Sequence, residues 1–259
     1  MTESLRRSSP IHGFWLATAH PAIVEAAALL KPDFVCLDAQ HGTHLSQLTT
    51  QAFTTMALYG VPGLVRVARN DPSDIGRALD LGAGGVMVPM IETADQAEAA
   101  VASFKYGSEG SRSYGMQTSR VDPMSPDYTP LCALQIETAA AIDNIDDIAA
   151  IEGVDWLYVG PADLGLNLGG VPAPDVISVF DGTHSLAGEL LDAFGAVVTA
   201  AANHGTLAGL HCGSGESSLL AQEHGFTIAS VAGDLSEIQA GMNRQLSEAR
   251  SGGWQDSDH

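Results

Sequence analysis

The chain has 259 residues, about the length of one α/β barrel domain. Hydrophobic residues make up 45% and charged ones 16%, which supplies a large core and excludes a disordered chain. A formal net charge of −20 argues against nucleic acid and anionic membrane surfaces as partners, because both would be repelled.

Residues 1–10 are polar, carry Arg6 and Arg7, and lead into no long apolar run, so neither a secretory signal nor a membrane span is expected. Strand-like runs then alternate with helical patterns. The first strand is predicted over 12–17, followed by a helix over 22–30. The second, 34–38, ends in Asp38-Ala39-Gln40-His41-Gly42 before a helix over 46–58. The third, 63–67, contains Arg66, with Arg69 just beyond and a helix over 72–81 opened by Asp71-Pro72. The fourth, 85–89, gives way to a helix over 94–104 that Thr93 starts. The fifth, 132–137, ends in Gln135-Ile136-Glu137 and precedes a helix over 139–151. The sixth, 156–160, runs into Gly160-Pro161-Ala162-Asp163, and the next helix is predicted at 186–203. Strands over 207–211 and 227–231 are followed by helices over 216–224 and 235–249.

The strand runs are apolar at nearly every position, as expected of parallel strands buried on both faces. About eight strand–helix units favour a closed (β/α)8 TIM barrel over an open doubly wound sheet, with residues 1–259 as a single domain. No G-x-G-x-x-G follows the first strand, which weakens a dinucleotide-binding reading. Two long stretches, 106–130 and 169–181, read as functional or interfacial loops. Cys36, Cys132 and Cys212 are odd in number and lack metal-site spacing, pointing to reduced, buried thiols in a cytoplasmic protein.

Chemistry on such a barrel sits at the C-terminal ends of the strands. There the sequence gathers Asp38, His41, Arg66, Gln135, Glu137 and Asp163. Singly, most have plain alternatives: Asp38 or Asp163 could cap a helix, His41 could be a structural hydrogen-bonding residue, and Arg66 could close a surface ion pair. Glu137 is harder to dismiss, because a carboxylate ending a buried strand must be paired or bind a cation. Together the set is far more specific than any member.

These motifs, with Val65-Arg66-Val67, Leu79-Asp80-Leu81-Gly82-Ala83 and Val88-Pro89-Met90, occur in the order found in the HpcH/HpaI aldolases, class II pyruvate aldolases of the 4-hydroxy-2-oxoheptanedioate and 2-dehydro-3-deoxyglucarate type, which the chain resembles from Gly13 to about Asp234. The run from Lys105 through Tyr106 to Arg112 is similar to the family's Tyr-Pro-Pro-x-Gly-x-Arg segment, with Gly107-Ser108 in place of the prolines. Gln40 stands where many members have Glu.

The resemblance implies that Glu137 and Asp163 bind a divalent cation, Mg2+, Mn2+ or Co2+, which a 2-oxo acid chelates. It implies that Arg66 stabilises the developing oxyanion and that Gln135 positions the pyruvate end. Backbone groups at Pro161, Ala162 and Val88-Pro89-Met90 could meet the pyruvate carboxylate. His41 is the candidate base, with Asp38 first and Asp80 second as the carboxylate orienting its ring. A homo-oligomer, trimer or hexamer, with the C-terminal helix exchanged between subunits, is a further implication. His20, His44, His211 and Cys212 are weaker rim candidates for lining the aldehyde pocket or the barrel floor, and Trp15 reads as packing.

A Schiff-base aldolase needs a pocket lysine. Only Lys31 and Lys105 exist, and neither lies near a strand's C-terminal end. Two other readings share the scaffold: an acyl-CoA lyase of the citrate lyase β or malyl-CoA lyase type, and a non-catalytic oxo-acid-binding barrel. Eleven basic residues make a poor CoA docking surface, and pure binding needs no such acid–base and metal set.

Overall fold

Among the described residues eight strands pair in sequence order, all parallel, and the eighth closes on the first. They are β1 (Ile11–Leu16), β2 (Phe34–Asp38), β3 (Gly63–Arg66), β4 (Gly85–Val88), β5 (Leu131–Ile136), β6 (Trp156–Val159), β7 (Leu207–His211) and β8 (Ile228–Gly233). The computed structural model describes residues 2–7, 10–42, 45–115 and 122–251; His44 lies outside the described residues. The helices are α1 (Pro21–Leu29), α2 (Gln47–Leu58), α3 (Pro72–Asp80), α4 (Ala94–Ala102), α5 (Ala139–Asp143), α6 (Ile145–Ala149), α7 (Pro161–Gly169), α8 (Val176–Phe180), α9 (Ala187–His204), α10 (Gly215–Glu223) and α11 (Asp234–Ser251).

Local chemistry explains the helix starts. Asp71 accepts hydrogen bonds from the N–H groups of Ser73 and Asp74, with Pro72 at the first helical position. Thr93 caps α4 through the Gln96 N–H, and Ser46 and Thr49 form a reciprocal capping box on α2.

Three departures from the sequence-based elements have physical causes. The helix predicted over 139–151 is two, α5 and α6, broken at Asn144, whose amide donates to the carbonyls of Glu92 and Ala140. The stretch after β6, where no helix is predicted, forms α7 headed by Pro161. Its glycines argue against a helix by propensity, yet a Cβ at Gly165 would lie 2.4 Å from the Val171 carbonyl oxygen; close packing requires that glycine. The 169–181 stretch also contains the short α8.

The strand pleat sorts residues into two cores. Val35, Leu37, Val65 and Leu134 point outward to the helices, while Ile11, Trp15, Phe34, Cys36, Leu64, Met87, Ala133, Trp156 and Tyr158 fill the barrel. Gly13 makes room for Phe34: a Cβ there would lie 2.3 Å from its ring.

Leu5, fully buried, closes the floor of the barrel. Its carbonyl accepts the Trp156 indole N–H at 2.8 Å, and Arg6 next to it pairs with Asp155 at 2.6 Å. Leu5→Ala is expected to destabilise the protein by about 2–5 kcal/mol, read as a lower midpoint of urea denaturation; an unchanged midpoint would show that the floor closes without this side chain.

Among the described residues no helix is long and apolar enough to cross a membrane. The three cysteines are free and buried. On α11 only Asp234 is buried, and Leu235, Ile238, Met242 and Leu246 form an exposed stripe at helical spacing.

Candidate active site

The same pleat that fills the barrel delivers polar groups to its mouth. Counting by twos along each strand, Phe34 and Cys36 lead to Asp38, Leu64 leads to Arg66, and Leu131 and Ala133 lead to Gln135 and then Glu137. All four polar side chains are buried, at 1–8% exposure, at the end of the barrel where the strands finish.

Asp38 and Arg66 sit side by side in register on β2 and β3. Arg66 grips Asp38 with two donors, Nε to Oδ1 at 3.0 Å and Nη2 to Oδ2 at 2.6 Å. Burial pushes the Asp38 carboxyl up, but Arg66 and the N–H groups of His41 and Gln40 outweigh it and hold the group below its ordinary value. The guanidinium lies 4.9 Å from the Trp15 ring, whose indole N–H points to Asp38 Oδ2 at 3.4 Å. Trp15, read from sequence as packing, therefore braces this pair.

Glu137 ends the fifth strand's inward row. The Met90 N–H donates to its Oε1 at 2.9 Å, and Met90 adopts φ +57°, a left-handed conformation that non-glycine residues adopt at a cost. That turn spends the Met90 N–H on Glu137 rather than on a ligand. Oε2 of Glu137 and Oε1 of Gln135 are buried with no partner among the described residues. A Cβ at Gly160 would stand 2.5 Å from Glu137 Oε2 and 2.7 Å from Gln135 Nε2, so glycine keeps this space open. Burial, with Asp163 adding to it, pushes Glu137 up to about 7, against the opposing pull of the Met90 N–H and Arg66. Asp163 lies exposed in the first turn of α7, where Pro161 has no N–H to offer and the Ala162 N–H lies at the helix head.

An HpcH/HpaI aldolase/citrate lyase family profile matches residues 12–238. The chain belongs to this family. It is 40% identical over 193 residues to 4-hydroxy-2-oxovalerate aldolase of Novosphingobium aromaticivorans, covering 71% of this chain and 72% of that one. It is 31% identical over 242 residues to hydroxypyruvate/pyruvate aldolase of Rhizorhabdus wittichii, covering 92% and 93%. Among solved structures, an HpcH/HpaI aldolase/citrate lyase family protein from Burkholderia cenocepacia superimposes with a TM-score of 0.85 at 27% identity, covering 96% of this chain and all of that one. These aldolase relatives make the chain a carbon–carbon lyase.

Within this HpcH/HpaI barrel the remaining candidates are dispersed. His41 is exposed on the loop after β2, and its backbone N–H, not its ring, donates to Asp38 at 3.2 Å. Asp80 closes α3 at the opposite end of the barrel, where Arg112 donates to it at 2.9 Å and also contacts the Tyr106 ring and the Tyr128 hydroxyl. Asp38 ends β2 beside the His41 loop, and its oxygens are engaged by Arg66. Lys31 and Lys105 are exposed in loops that enter β2 and β5, at the end away from the mouth. His20 is exposed at the start of α1. His211 ends β7 beside Trp15, their rings edge to face at 4.9 Å, whereas Cys212 packs outward in the helix-side core. The inward count along β1 and β7 was the available signal for Trp15 and His211; the Met90 contact had none, because it depends on backbone conformation.

Proposed function

We propose that the protein is a divalent-cation-dependent pyruvate aldolase, adding pyruvate or a related 2-oxo acid such as hydroxypyruvate reversibly to an aldehyde to give a 4-hydroxy-2-oxo acid. The observation that carries this reading is Glu137: a buried carboxylate with one oxygen tied to a backbone N–H, the other without a partner among the described residues, beside an open space that Gly160 preserves. Buried carboxylates in that state call for a cation. Glu137 and Asp163 are oxygen ligands suited to Mg2+, Mn2+ or Co2+. No group of three or more His, Cys, Asp or Glu that could hold a metal occurs among the described residues, so water and substrate would complete the shell.

A bound cation supplies Lewis-acid polarisation of the oxo acid. The chain's own groups do the rest. Gln135 and the Ala162 N–H hold the pyruvate end. Arg66, kept in place by Asp38 and Trp15, donates to the oxygen that gains charge. In cleavage, His41 takes the proton of the C4 hydroxyl; the C3–C4 bond breaks with its electron pair left on C3, C4 departs as the aldehyde, and C3 is reprotonated to give pyruvate. EDTA should abolish pyruvate release and added Mg2+ or Mn2+ restore it, while borohydride with pyruvate should trap no adduct. Full-rate turnover in EDTA would overturn the reading.

The apolar stripe on α11 supports a homo-oligomer, trimer or hexamer, in which this helix is exchanged between subunits. Beside its first turn runs an apolar groove that includes Phe14, Leu16, Ile23, Leu30 and Ile238. Light scattering should give a mass of at least three chains; a monomer at micromolar concentration would count against the exchange. Three reduced thiols fit a cytoplasmic setting.

A further inference from the structure

At the mouth of β1, β7 and β8 the barrel holds a cavity of about 210 Å3 whose wall includes Trp15, His211, Ser230 and Asp234. It adjoins the site just described, because Trp15 touches Arg66 and His211 meets the Trp15 ring. His211 Nδ1 is 3.0 Å from the hydroxyl of Ser230, a fully buried side chain, and Nε2 has no protein partner among the described residues. Ser230 thereby fixes the orientation of the ring. Burial, with Arg66 adding to it and Asp38 opposing, lowers His211 to about 4, so the ring is neutral at physiological pH.

Asp234 spends its carboxylate on the N–H groups of Ala17 at 2.9 Å, Thr18 at 3.0 Å and Leu235 at 2.9 Å. Its negative charge stays on the cavity wall, whose lining includes no lysine or arginine among the described residues, and the guanidinium of Arg66, on the Trp15 ring, is paired with Asp38. A carboxylate or phosphate entering here would lose its hydration beside a like charge. A hydroxyl is different: it both donates and accepts, so it satisfies a neutral imidazole nitrogen in either tautomer.

Resting on the aldolase reading above, we propose that this cavity is the subsite for the aldehyde-derived end of the substrate. His211 recognises a hydroxyl there, and the preferred acceptors are short, uncharged hydroxyaldehydes.

Glycolaldehyde and acetaldehyde differ by one hydroxyl and make the matched probes. With pyruvate and Mg2+, kcat/KM for the full-length wild-type protein should favour glycolaldehyde by about 10–100-fold. His211→Leu should cut that ratio by about tenfold or more, and His211→Gln, whose amide can replace Nε2, should retain more of it. Exchange of pyruvate methyl protons with D2O by the wild-type protein reports the oxo-acid half alone. Exchange together with equal ratios in wild type and variants overturns the subsite and leaves the aldolase standing. No exchange overturns the aldolase reading, and the subsite with it.

Discussion

Replacing Arg66 with lysine is expected to lower kcat for pyruvate release by about 10²–10³-fold while the protein stays folded. The native side chain uses one fork to hold both oxygens of Asp38, at 3.0 and 2.6 Å, and still presents a charged plane to Trp15. An ammonium is a single point of charge without that geometry, so a lysine pairing with Asp38 leaves no oriented donor for the oxygen that gains charge. Arg66→Ala goes further. It strands Asp38, 4% exposed, without its cation, at a stability cost of about 3–5 kcal/mol. Steady-state kinetics and thermal denaturation separate the two effects: lysine should spare much of the stability and little of the rate. A lysine variant with wild-type kcat would remove Arg66 from the chemistry.

Cation binding should be strongly pH-dependent through Glu137. Burial raises this group from 4.5 to about 7, so the metal-free protein holds a neutral carboxyl at mildly acid pH. Its contribution to stability is complete below 4.5 and is lost as pH rises through about 7, a difference of roughly 3 kcal/mol between the extremes. The cation has the opposite preference, because it binds the ionised form and displaces the proton. Affinity for Mg2+ or Mn2+ should therefore climb by about tenfold per pH unit below 7 and level off above it. Calorimetry at pH 5, 6, 7 and 8 measures this directly. Glu137→Gln should lose most of the affinity together with its slope; an affinity flat across that range would show that Glu137 does not exchange its proton for the ion.

The barrel was legible because its strands are apolar on both faces and bounded by plain turn and cap signals such as Asp71-Pro72 and Thr93. Residues 161–169 were not, since Gly165 and Gly169 lower helix propensity and serve tertiary contacts with Val171 and Leu186 that no local pattern displays. In the candidate site, Asp38, Arg66, Gln135 and Glu137 announce themselves as polar residues interrupting buried runs. Trp15 and His211 blend into apolar strands, and only the count by twos puts them in the interior. The partners of Asp80 could not be read at all. Its ion pair with Arg112 joins residues 32 apart in sequence, across β4 and α4, to a stretch with no periodicity of its own.

The scarcity of lysine has a practical side. Both side-chain amines project from the closed end of the barrel, well away from its mouth. A resin or electrode activated for amine coupling would grip the molecule through its base and turn the opening toward the flowing liquid. Reagents aimed at lysine should likewise label the molecule without blocking traffic through that opening.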